Sequence, residues 1–175
     1  MMTLAELQDA QINPLVAREA YEQSARRLAD ALDTKTAFEQ KAFTLFGGYL
    51  TITLALFGAG GAIHSMPNTQ HLVIPLWLTG AVFAGGAVCF MLALIDKEYG
   101  AVASHPEMWL NPGTIDGPDA VVPTMLAYIT FYHGARIDTS VAMNNHKAKL
   151  IKAGILAGIG GPIVFMLAVL CVGYA

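Results

Sequence analysis

The sequence predicts an all-α integral membrane protein with three transmembrane helices and cytoplasmic helical extensions. Three observations lead there. The chain of 175 residues is 55% hydrophobic and only 13% charged, with a mean hydropathy of +0.51, whereas soluble domains carry about 25% charged residues. Three stretches, 42–63, 72–95 and 153–175, contain no Asp, Glu, Lys or Arg. All 10 Lys and Arg residues fall in the segments before the first stretch and between the second and third.

The first segment, 1–41, is expected to be a cytoplasmic helical region. It holds charges throughout and lacks the basic start and apolar core of a secretory signal, and no lipidation motif precedes the spans. Asn13 suits an N-cap and Pro14 the first helical turn. Tyr21, Ala25, Leu28 and Leu32 recur on one helical face, with Arg26, Arg27, Asp30 and Asp33 directed largely away from it. With no Pro or Gly from Val16 to Phe46, one long helix should leave the cytoplasm and become the first span, 42–63. Residues 1–12 are expected to form a separate short helix or a mobile arm.

The second span is 72–95 and the third 150–174. Each exceeds the roughly 20 residues that cross a hydrocarbon core of about 30 Å. The link between spans one and two carries no charge. The basic residues therefore lie on one face, which the positive-inside rule makes cytoplasmic. The expected location is a bacterial inner membrane, with the N-terminus cytoplasmic and the C-terminus outside. Between spans two and three lies a cytoplasmic loop and helix, 96–149. Its breakers, Gly100, Pro106, Pro112, Gly113, Gly117 and Pro118, predict an ordered loop over 99–118, with Trp109 at the headgroups or in a protein interface. From Pro123 the pattern is helical again. Val122, Met125, Leu126 and Ile129 share a face, Gly134 marks a potential bend, and the helix continues into span three.

Small residues recur at four-residue spacing in the spans, which lets helix backbones approach. Gly58, Gly85, Gly154, Gly158 and Gly161 are the expected packing positions. No span has a midplane ionisable residue, which argues against a pump or a secondary transporter. A hydrophobically gated channel on the axis of a cyclic homo-oligomer, a tetramer by preference, stays open. Pro75 and Pro162 are expected to be tolerated near helix ends.

No enzyme constellation is present, and no metal or cofactor is expected. His105 and Glu107 do not make a metal site. Cys89 and Cys171 sit in apolar runs and read as small core residues. A net charge of −3 and a pI near 5.9 give no footprint for duplex DNA. His133, Arg136 and Asp138 read as a solvated face. A basic cluster comprising Arg26, Arg27, Lys35, Arg136, His146, Lys147 and Lys149 either anchors the chain to anionic headgroups or forms a cytoplasmic ring for a nucleotide or oligonucleotide, with Tyr128 and Tyr132 as stacking surface. Leu4, Leu7 and Ile12 could pack as an apolar plug or gate.

The stretch Leu28-Ala-Asp-Ala-Leu-Asp-Thr-Lys35-Thr-Ala, running into the first span, resembles small transmembrane effectors of bacterial antiphage defence attached to nucleotide-signalling systems, of the SLATT, Pycsar or Hailong type. Asp33-Thr34-Lys35 is the most specific part, and Asn144, Asn145 and Lys147 before the last span add to it. The resemblance covers about ten residues of motif, and many of those families have two or four spans. It implies a homo-oligomeric channel or membrane-disrupting protein and a partner nucleotidyltransferase that makes the signal. The alternatives are a holin-like lysis protein and a non-catalytic accessory subunit of a larger membrane complex.

Overall fold

The computed structural model describes residues 13–95 and 122–173. The expectations for Leu4, Leu7 and Ile12, for the 99–118 loop and for His105, Glu107 and Trp109 fall outside the described residues. Among the described residues the chain is helical and contains no strand. Helix α1 runs Pro14–His64, a single 3-10 turn covers Gln70–Leu72, α2 runs Val73–Leu94 and α3 runs Val122–Gly173.

The start of α1 follows from two side chains. The Leu15 N–H donates to Asn13 Oδ1 at 2.9 Å, which satisfies one of the orphan donors of the first turn. Pro14 has no N–H to satisfy. Pro75 plays a similar part in the first turn of α2, and the Thr79 hydroxyl donates back to its carbonyl at 2.8 Å. Pro162 differs, because it lies inside α3. Lacking an N–H, it leaves the carbonyl of Gly158 without its intrahelical donor.

Two compact units result. One contains residues 13–35 and 122–144, the other 36–95 and 145–173. In the first, Ser24 meets His133 and Ala31 meets Asn144, so residue numbers rise together and the two helices run parallel. Its buried positions on α1 are Ala17, Ser24, Leu28 and Ala31. Steps of seven, four and three residues are the heptad spacing of a coiled-coil seam.

The second unit holds α2 together with residues 36–64 of α1 and 145–173 of α3, the charge-poor parts of the three apolar helices. Its core is Ala42, Phe90, Ala93 and Ile151, flanked by Phe38, Leu45 and Tyr49. Helix α2 is antiparallel to both neighbours. Gly60 and Gly80 take Trp77 and Phe57 across the α1–α2 contact. Gly154 and Gly161 take Phe90 and Phe83 across the α2–α3 contact. Large apolar side chains on the outside remain exposed, among them Leu54, Ile163, Met166 and Leu167. Water would penalise such surfaces, while acyl chains match them. The link between α1 and α2 closes on itself. Ser65 Oγ donates to Ala62 O, Thr69 Oγ1 to Met66 O, and Gln70 Nε2 to His64 O.

Candidate functional site

Polar chemistry in the first unit gathers on the facing sides of α1 and α3. Ser24 and His133 are both buried. Ser24 Oγ lies 2.8 Å from the Tyr21 carbonyl and 3.0 Å from His133 Nδ1. A hydroxyl has one proton to give. Donated to Tyr21 O, it leaves Nδ1–H of His133 as the donor to Oγ, which selects the Nδ1–H tautomer. The Tyr21 ring stacks on His133 with centroids 5.9 Å apart and planes at 27°. Burial pushes the His133 pKa down, and the Arg136 guanidinium pushes it the same way. Both effects disfavour the protonated imidazolium.

Arg136 is half-buried, and its Nη1 has neither solvent nor a hydrogen-bond partner. The Tyr128 hydroxyl shares that condition. Between them in sequence, Tyr132 is 38% exposed and its ring is braced edge-on by Phe131 at 6.0 Å. Lower along the pair, Asn144 Nδ2 donates to the Ala31 carbonyl at 2.8 Å and is buried.

The expected solvated face is corrected in part. Asp138 is exposed, but His133 is buried and Arg136 half-buried. The spacing explains it. Ile129, His133, Ser140 and Asn144 are buried at steps of four, seven and four, so His133 occupies a seam position that its polarity disguised.

The basic residues do not share one environment. Arg26 and Arg27 are exposed, and Arg26 lies 3.9 Å from Glu22, which also pairs with Arg18 at 3.1 Å. Lys35 is half-buried. In the second unit His146 and Lys149 are exposed, whereas Lys147 is buried and ion-paired with Glu39 at 2.5 Å. The heptad step from Asn144 to Lys147 turns that ammonium inward, where it is engaged by a carboxylate.

The glycines divide equally clearly. A Cβ on Gly154, Gly158 or Gly161 would strike Phe90, Tyr49 or Phe83, and one on Gly86 would strike Tyr49. These glycines are sockets for aromatic rings. Gly58 and Gly85 have nothing within 4 Å of that position and lie on the outer surface of the unit. Tyr49 is the centre of the sockets. Phe83 and Phe90 meet its ring edge-on at 5.2 and 4.9 Å, and its hydroxyl lies against Gly158.

One lane on the outside of α1 differs from the rest of the span surface. Gln40, Thr44, Gly47, Thr51, Ala55, Gly58 and Ala62 are all exposed. At 100° per residue they fall within about 80° of one another. Leu50, Ile52 and Phe57, on other faces, are large, apolar and also exposed. Thr44 and Thr51 give their hydroxyl protons to the carbonyls of Gln40 and Gly47, four residues back.

The fold defines a helical protein with three helices long and apolar enough to cross a membrane. Comparison with known families, with curated proteins and with solved structures finds no match.

Proposed function

We propose that this protein is a membrane effector of bacterial antiphage defence, a homo-oligomeric ion channel gated by a nucleotide or oligonucleotide signal. The observation that carries the channel reading is the lane on α1. An isolated span facing lipid gains from large apolar side chains, and this lane has none over residues 40–62. Turned toward the axis of a ring of copies, the same lane offers hydroxyl and carbonyl oxygens to water and presents little bulk. The ten-residue resemblance beginning at Leu28 supports the defence role, and the distribution of Lys and Arg supports an inner-membrane protein with its N-terminus cytoplasmic.

Cysteine accessibility tests the reading. With Cys89 and Cys171 replaced by Ala, Thr51→Cys and Gly58→Cys in liposome-reconstituted protein should react with a membrane-impermeant thiosulfonate. Ile52→Cys should not react. The reagent should also block current through the Thr51→Cys protein. Equal reactivity at Thr51→Cys and Ile52→Cys refutes a water path along this lane.

A further inference from the structure

Three residues of α3 form one ridge. Tyr128, Tyr132 and Arg136 are four residues apart, so they stack along the same helix face at about 6 Å intervals. The two ends of the ridge carry buried polar atoms with no partner, Tyr128 Oη and Arg136 Nη1. The middle carries a partly exposed aromatic ring.

A guanidinium cannot relieve burial by losing its proton. The buried Nη1 of Arg136 calls for an acceptor, because a buried polar atom left without a hydrogen bond is disfavoured. Among the described residues Nη1 has no hydrogen-bond partner. Glu22 is engaged by Arg18 and Arg26, Glu39 by Lys147, and the Ser24 hydroxyl by Tyr21 and His133. His133, the titratable neighbour of Arg136, brings no negative charge.

We propose that the Tyr128–Tyr132–Arg136 ridge binds a phosphate ester with a planar body: the phosphate on the Arg136 fork, the body against the Tyr132 ring, and a far-end acceptor at the Tyr128 hydroxyl. A guanidinium matches two phosphate oxygens at once. The body needs only to span one or two helical turns. This deepens the effector reading, on which it rests for biological meaning. It is tested without any current, so an empty site beside an intact channel and a silent channel beside an occupied site give different results.

The experiment is equilibrium binding and thermal stabilisation of the detergent-purified full chain at constant ionic strength. The probes are inorganic phosphate, adenosine, adenosine 5′-monophosphate and nanodiscs containing phosphatidylglycerol. Adenosine monophosphate should bind more tightly than phosphate or adenosine. Arg136→Gln should weaken it about tenfold or more, the usual effect of losing a charged hydrogen bond. Tyr132→Ala should abolish the preference for the nucleotide over phosphate. Arg136→Lys keeps the charge without the fork and should be intermediate, which keeps the test decisive if Arg136→Gln does not fold. Equal binding of adenosine and its monophosphate, or binding unchanged in both Arg136 variants, overturns the proposal. Stabilisation by phosphatidylglycerol alone assigns the phosphate to a lipid headgroup and overturns the role of Tyr132.

Discussion

Neighbouring glycines in α2 give a sharp test of the packing. A Cβ added at Gly86 lies 2.7 and 2.8 Å from two carbons of the Tyr49 ring and 3.3 Å from Ala157 Cβ. Ordinary carbon contacts are about 3.5–4.0 Å, so the ring must retreat by about 1 Å. It has little room, because Phe83 and Phe90 hold its edges and Gly158 its hydroxyl end. Overpacking of this kind costs about 1–3 kcal/mol. At Gly85 an added Cβ meets nothing within 4 Å. Both substitutions receive the same helix-propensity gain of Ala over Gly, up to about 1 kcal/mol. That gain cancels in the comparison. Gly86→Ala should therefore be about 1–3 kcal/mol less stable than Gly85→Ala. For a chain of this size that is a gap of roughly 2–12 °C in Tm, at about 2–4 °C per kcal/mol. Thermal unfolding in detergent, followed by intrinsic fluorescence, measures it. Tyr49→Ala in the Gly86→Ala background should recover part of the loss relative to additivity. Melting of the two single variants within about 1 °C of each other refutes the socket account.

Two further outcomes follow from buried charge. Glu39→Gln removes the carboxylate paired with buried Lys147 and should destabilise by about 3 kcal/mol, whereas replacing both partners by apolar residues should recover most of the loss in chemical unfolding. His133 has its folded pKa lowered below the ordinary 6.5. The unfolded chain then binds more protons on acidification, so stability present above about pH 6.5 is lost as pH falls through the folded pKa. His133→Gln should flatten that part of the stability–pH curve, and an unchanged slope contradicts the assignment.

The three apolar helices were legible because a charge-free run longer than 20 residues has few other physical uses. The Asn13–Pro14 helix start was legible because capping is local. The interior of the polar helix pair was not. Ser24, His133, Ser140 and Asn144 occupy seam positions at heptad spacing, and a reading keyed to apolar recurrence passes over polar residues there. Polar seam residues are how coiled coils fix register at a cost in stability, and the Ser24–His133 and Asn144–Ala31 bonds are of that kind. Lys147 was legible as basic but not as paired, since Glu39 lies more than a hundred residues away. The glycine spacing did mark helix contacts at Gly154, Gly158 and Gly161. Spacing alone does not distinguish a backbone approach from a ring seated on a glycine, and the aromatic partners come from other helices.

The self-closed link between α1 and α2 bears on how the chain enters a bilayer. Residues 65–72 contain no Asp, Glu, Lys or Arg. The hydroxyls of Ser65 and Thr69 and the Gln70 amide are bonded to carbonyls of the link and of the helix end. The N–H groups of Met66, Thr69 and Leu72 find acceptors three residues back. Each polar atom so bonded has less hydration to shed on passing through hydrocarbon. If this link is the part of the chain that crosses, the first two helices can enter the bilayer as a hairpin without carrying an Asp, Glu, Lys or Arg through hydrocarbon.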